Sequence, residues 1–245
     1  MVKQPYILNI YDIPTVENIC NQILREVIKL ESVSLAHVLM YPKNVSLLHN
    51  HYFTNEKYFI LSGRGILYLN NQAYNVKKGA YVSIDVRVPH KLKNISESED
   101  LEHLVISTPS FDPRDIKLIL REFEEPQVKE LNLLTESHIS HDGATVYELN
   151  SLKERTNSNI GIAVGYLKGL KKAKQHYHIK SEEVYFVIRG EGTIKLDDKD
   201  ENIGKGSLIY IPQNIHHSLK NTLKQPLEIL CLSSPPYSKG DFILI

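Results

Sequence analysis

Tryptophan is absent from this 245-residue sequence, and cysteine and methionine occur only twice each. Charge of neither sign prevails: Lys+Arg and Asp+Glu both number 29. A balanced chain has no electrostatic footprint for nucleic acid or for an anionic membrane, so neither is expected as a partner. No apolar run approaches the roughly 20 residues that a membrane-spanning helix needs. The opening MVKQPYILNIYD has no sustained apolar stretch of the signal-peptide kind, which points to a cytoplasmic protein. Cys20 and Cys231 lie far apart without a CxxC partner and read as reduced core residues. With no Trp and 14 Tyr, the aromatic wall of any pocket must come mainly from tyrosine.

Histidine, by contrast, is frequent at eleven residues, and six of them stand in one pattern that occurs twice. The second copy reads His176, His178, Glu183, Gly190, then Gly206, Pro212, His217 and Asn221. The first, 127 positions earlier, reads His49, His51, Glu56, Gly63, Gly79, His90 and Asn94. The likeness continues beyond the pattern, because LEHLVISTPSFDPRD (101–115) matches LEILCLSSPPYSKGD (227–241) at an offset of 126. Self-similarity of this extent predicts two copies of one fold.

Residues 33–108 and 148–234 read as many short strands with Gly, Asn and Lys-rich turns, the pattern of an all-β sandwich or barrel. Two departures from it are expected to be helices on the periphery. Over 15–31 the apolar residues recur at i, i+3, i+4 spacing after Thr15. Over 113–124 a helix should begin with Asp112 as N-cap and Pro113 at the first helical position. The expected division is an N-terminal domain of 1–125 carrying both helices and a C-terminal domain of 126–245. The stretch 127–147 is read as a connector, and its His138 and His141 as solvated loop residues. The apolar face of helix 15–31 and the barrel edges need cover, so a homodimer is expected alongside a monomer.

Residues i and i+2 of a strand share a face. His49 and His51 therefore face one way, as do His176 and His178. Two imidazoles joined by a carboxylate from the next strand (Glu56, Glu183) make a metal face with open positions, which His90 or His217 completes as a fourth ligand. Glu183 is preferred over Glu182 because it keeps the 127-residue offset. Tyr58 and Tyr185 lie two residues beyond the glutamates, share their face, and are the candidate substrate-binding residues. Leu92 and Leu219 share the face of the capping histidines. Arg87 reads as a solvated loop residue, His216 as outward-facing, and His37 and His103 as core or surface residues without a motif. No residue is singled out as catalytic.

These residues resemble the cupin superfamily, whose motifs are G(x)5HxH(x)3–4E(x)6G and G(x)5PxG(x)2H(x)3N. Copy two carries the first as His176, His178, Glu183 and Gly190, and the second as Gly206, Pro212, Asn214, His217 and Asn221. Copy one departs further, with Asp85 and Arg87 for the proline and glycine of the second motif. The opening glycine of the first motif is replaced near Lys43 and Asn44, and Gly169 comes a residue early. These departures are expected to alter loop shape and local charge rather than metal ligands. The resemblance implies two tandem jelly-roll β-barrels, a bicupin.

The resemblance further implies a divalent transition metal at each of two sites, with Fe, Mn, Zn, Ni and Co all compatible with a His/Glu set. It implies a small-molecule substrate. Dioxygenase-type chemistry with Fe(II) and O₂ is the first expectation. A metal-dependent isomerase or lyase is the alternative, and a non-catalytic ligand-binding module the third. Oxalate decarboxylase-like activity is ranked lower because those chains are generally longer. A transcription regulator is set aside because no helix-turn-helix pair is present.

Overall fold

Alternating apolar residues broken by Gly, Asn and Asp turns leave the backbone little choice but sheet. The computed structural model describes residues 3–120, 126–131 and 136–245. It is built almost wholly of strands, with one α-helix among the described residues, Leu152–Ser158. That helix carries a full capping box between Ser151 and Glu154. Among the described residues no helix is long and apolar enough to cross a membrane.

Contacts divide the chain into residues 13–133 and residues 134–245 joined by 1–12. In the first unit one six-stranded sheet runs Val16–Glu17, Ile23–Lys29, Ser34–Met40, Leu101–Thr108, Asn55–Ser62, Tyr81–Ile84. The second sheet runs Ile116–Leu118, His49–His51, His90–Asn94, Arg64–Leu69, Gln72–Lys77, Val128–Glu130. Val38, Met40, Ile60, Leu67 and Leu92 pack in a core within this unit. The other unit repeats the plan with a seven-stranded and a five-stranded sheet over Val187, Ile194, Ile209 and Ile229. These are the two expected jelly-roll barrels. Tyr6–Asn9 belongs to the second, pairing antiparallel with Tyr210 to Ser207 at its edge.

Period-two patterning sets what faces inward. In His90–Asn94 the residues His90, Leu92 and Asn94 are buried while Lys91 and Lys93 are less so. A register slip of one residue would turn His90 out and a lysine in. Buried Asn94 holds the register, its amide donating to the carbonyls of Met40, Tyr41 and Glu99 at 2.9–3.1 Å. Asn221 does the same for Leu167 and Gln225.

Neither expected peripheral helix forms among the described residues. Residues 15–31 make a hairpin, Val16–Glu17 against Ile23–Lys29, with Ile23–Lys29 also paired to Ser34–Met40. A bulge between Glu26 and Ile28 lets both Val27 and Ile28 be buried, which imitates helical spacing in the sequence. The signal overlooked is the turn chemistry of Asn18 and Asn21. The surface expected to support a homodimer is thus an edge hairpin. At 113–124, Asp112 caps as expected, accepting from Arg114 N at 2.9 Å, but only one turn of 3-10 helix follows, Pro113–Asp115. The strand Ile116–Leu118 then pairs with His49–His51, and 121–125 lie outside the described residues. Strand addition beside the HxH pair wins over a surface helix because it satisfies that strand's backbone. The connector read at 127–147 also contains strands, including Thr145–Glu148.

The positions where the family's glycines are replaced share one backbone conformation. Lys43, Leu170, Arg87 and Asn214 stand at those glycine positions, and all four adopt a left-handed backbone, with φ of 62°, 58°, 63° and 64°. It is a conformation that glycine adopts freely, and the non-glycine residues bear its steric cost. At Gly63, with φ of 79°, a Cβ would lie 2.4 Å from Asp100 O, so there glycine is obligatory.

Candidate metal centres

The eight residues predicted as metal ligands fall into two groups of four. His49, His51, Glu56 and His90 form one, and His176, His178, Glu183 and His217 the other. In each, one ligand atom per residue lies within 4.8 Å of all the others, and every residue is buried. The strands explain the convergence. His90 is the direct cross-strand partner of His49, and His217 of His176. The glutamate comes from the other sheet of the same barrel.

Hydrogen bonds preset the imidazoles. Nδ1 of His49, His90, His176 and His217 each lies 2.8–2.9 Å from the carbonyl two residues earlier. A carbonyl only accepts, so Nδ1 carries the proton and Nε2 presents its lone pair. His90 Nε2 lies 3.1 Å from Glu56 Oε2, and His51 Nε2 3.5 Å from Glu56 Oε1. In the second barrel His178 and His217 Nε2 lie 3.3 and 3.2 Å from Glu183 Oε2. Cis ligands on a six-coordinate ion with bonds near 2.1 Å stand about 3 Å apart, so the groups fit an ion with little rearrangement. Buried His51 Nε2, without a hydrogen-bond partner among the described residues, is an orphaned nitrogen whose lone pair a metal would take up.

The charge states of His49, His176 and the two glutamates fit as well. Burial, with His90 beside it, pulls His49 down to about 4. Burial and His217 do the same to His176, also about 4. These rings are neutral at physiological pH, as metal ligands must be. Burial alone would raise Glu56, but its hydrogen bond to His90 and the neighbouring imidazoles hold it at about 2. Glu183 is likewise well below the usual range, where His178 and His217 overcome burial. His51 and His178 differ in sign. Burial lowers His51, whereas in His178 the Glu183 and Asp241 carboxylates outweigh burial and raise it.

Four residues went unrecognised in the sequence, one at the first centre and three at the second. Asp115 accepts from the backbone N–H groups of Tyr52, Phe53 and Thr54 at 2.9–3.2 Å, fixing the loop after His51. Asp241 accepts from Lys180 N at 2.5 Å and Ser181 N at 3.1 Å, and from the Ser181 hydroxyl. The signal was present, since both aspartates close the two matching segments at the 126-residue offset. The other residues are His141 and Tyr237. His141 Nδ1 lies 2.8 Å from the Tyr237 hydroxyl, and both line the pocket of His176, His178 and Glu183. His138 lines it too, so the connector histidines are pocket residues.

Tyr58 and Tyr185 are buried and line the first and second pockets, as their parity predicts. The Tyr185 hydroxyl donates to Glu183 Oε2 at 2.9 Å. Leu219 also lines the second pocket. Arg87 lies over the Tyr52 ring, 5.8 Å from its centroid, and does not line the first pocket. His216 is exposed. His103 is wholly buried against Tyr58, and burial, with His37 nearby, lowers it to about 3. The pockets measure about 110 Å³ in the first barrel and about 190 Å³ in the second.

Comparison with known proteins agrees with this geometry. An uncharacterized protein of Methanocaldococcus jannaschii is 35% identical over 104 residues, covering 42% of this chain and 83% of that protein. One from Streptomyces coelicolor is 29% identical over 108 residues, covering 44% and 95%. Among solved structures, oxalate decarboxylase from Bacillus subtilis superposes with a TM-score of 0.73 at 15% identity, over 100% of this chain and 79% of that one. The Lactobacillus farciminis oxalate decarboxylase formate complex gives 0.73 at 14% identity, over 100% and 89%. At such identity the likeness is one of fold. The cupin domain family matches residues 36–107 and 164–233, together more than half of the sequence. With a jelly-roll barrel and a three-histidine, one-glutamate group in each repeat, the chain belongs to the cupin family and is a bicupin.

Proposed function

We propose that this bicupin is a metal-dependent enzyme acting on a small organic substrate, with dioxygenase-type chemistry at an Fe(II) centre as the leading reading. The observation that carries it is the pairing, in each barrel, of a buried three-histidine, one-glutamate group with a pocket that reaches it. The four residues of either group would hold Fe(II), which would supply the redox chemistry between a bound substrate and O₂. The chain's own residues do the rest. The carbonyl-fixed imidazoles hold the ligand geometry. Tyr58 and Tyr185 offer ring and hydroxyl to a substrate at the wall. Apolar Leu219 and Phe242 help exclude water from the larger pocket.

A second reading, a metal-assisted isomerase or lyase, is favoured by the His141–Tyr237 pair in the second pocket. An imidazole hydrogen-bonded to a phenol beside the substrate space is equipped to move a proton. Mn(II) centres belong to the Bacillus subtilis oxalate decarboxylase, and Mn(II) suits this second reading as a Lewis acid. The test is O₂ uptake by anaerobically Fe(II)-loaded protein offered catechols, keto acids and diketones. O₂ consumption supports the oxygenase, and turnover without it the isomerase or lyase. Tight binding without turnover sinks both and leaves a ligand-binding module.

A further inference from the structure

The hairpin that replaces the expected helix builds one wall of the first pocket. Its loop, 18–22, is closed by Asn18 N donating to Gln22 O at 3.0 Å. Inside it, Asn18 Oδ1 accepts from the backbone N–H groups of Cys20 and Gln22, both at 3.0 Å. Those two bonds settle which end of the Asn18 amide is oxygen. The end facing Gln22 is therefore NH₂, and it donates to Gln22 Oε1 at 3.3 Å. The Gln22 amide is oriented in turn, and its own NH₂ is the end left over. Gln22 is only 6% exposed and lines the pocket with His49, His51 and Glu56. Its Nε2 is buried without a hydrogen-bond partner among the described residues. A buried donor oriented by two successive bonds and left unused in a pocket is a costly arrangement unless a ligand completes it.

Among the described residues, the corresponding position of the second barrel carries no such donor. The strand pairs Ile23↔Leu39 and Thr145↔Tyr166 correspond, since Leu39 and Tyr166 are 127 residues apart, so Ala144 takes the place of Gln22. The same four ligand types thus sit beneath walls of different chemistry. The size of the first pocket, about 110 Å³, is also restrictive. A cavity of about 150 Å³ holds benzene, so the first pocket takes a ligand of no more than about six heavy atoms.

We propose that Gln22 is a ligand-recognition residue of the first barrel. Its side-chain NH₂ donates to a carboxylate or carbonyl oxygen of a small acid that shares the pocket with the metal group, while the second barrel admits a different, larger ligand. This rests on the reading of the first barrel as a metal-holding ligand site.

The test uses the metal-loaded full chain and pyruvate as probe, followed by titration calorimetry, with metal content measured in parallel. Gln22→Met keeps the bulk and removes the donor. Gln22→Glu keeps an acceptor for Asn18 and puts an oxygen where the NH₂ was. Each is expected to weaken one pyruvate-binding step by roughly ten-fold or more, the loss of a hydrogen bond to a charged acceptor. Any step at the second barrel should be unmoved and serves as the internal control for folding. An unchanged isotherm in either variant overturns the proposal. So does loss of bound metal in step with loss of pyruvate, or the absence of saturable binding by the unmodified protein at millimolar pyruvate. An intact Gln22-dependent step without turnover of any substrate counts against the enzyme reading alone.

Discussion

Asp115 and Asp241 stand in the same place in the two repeats, each beside the second histidine of an HxH pair. Asp115 Oδ2 lies 3.8 Å from His51 Nδ1, and Asp241 Oδ2 lies 3.6 Å from His178 Nδ1. Each aspartate also gathers the backbone N–H groups of the loop that leads from that histidine to the ligand glutamate. One carboxylate thus positions two ligands, by the ring it faces and by the loop it ties.

Asp115→Asn and Asp241→Asn retain an acceptor but lose the anion. Each should weaken metal binding at its own barrel by about 10–100-fold, the usual cost of removing a partner behind a ligand histidine. Chelator competition on each variant measures it. An affinity equal to that of the unmodified protein in a correctly folded variant would remove the positioning role.

A metal-replete preparation should hold about two ions per chain by elemental analysis, because both groups are complete. Acid should release them in order. A metal takes the neutral ring, so binding is full above a ligand's pKa and is lost as pH falls through it. His178 is raised, so proton competition at the second barrel begins at a higher pH than for an ordinary histidine. In the first barrel His51 is lowered and His49 lies at about 4, which delays competition. Metal loss measured during an acid titration should start at the second barrel. Loss from the first barrel before the second contradicts this.

Chelation at neutral pH should lower the melting temperature without unfolding either barrel at room temperature. Each barrel has its own buried apolar cluster, and the metal binds a site that is already folded. A far-UV spectrum collapsing to coil on chelation would show that the cores do not suffice.

Glu183→Gln and Glu56→Gln remove the anionic ligand at equal size. Turnover per bound metal should fall more for Glu183→Gln, because the second barrel has the larger pocket and the His141–Tyr237 pair. Near-normal activity in Glu183→Gln, together with an inactive Glu56→Gln at full occupancy of the second site, would reverse the assignment.

Leu170→Gly should stabilise the second barrel. Leu170 is 63% exposed, so little packing is lost, and its φ of 58° is strained for a branched side chain. Relief of about 1–2 kcal/mol exceeds the entropy cost of a glycine, leaving roughly 0.5–1 kcal/mol net. Urea unfolding measures it, and a lower midpoint would mean that the leucine side chain contributes contacts outweighing its strain.

The repeated ligand spacing, the period-two alternation and the turn glycines are local properties, and they specify the two barrels, their inward faces and the eight candidate ligands. His49 and His51 can only share a face in a strand, wherever that strand packs. Which strand lies beside which is instead a matter of long-range packing. Apolar spacing over 15–31 suits a helix and a bulged hairpin equally, and the choice fell to pairing with Ser34–Met40. Asp115 looked like part of a helix start until Ile116–Leu118 paired with His49–His51 and brought its carboxylate to the loop. Tyr6–Asn9 pairs some 200 residues away in sequence, with Ser207–Ile211, which no local pattern encodes. The pocket walls have the same origin. Gln22 and His141 acquire their meaning from edge hairpins folded over each barrel, because a side chain's role in a pocket depends on neighbours that only long-range pairing supplies.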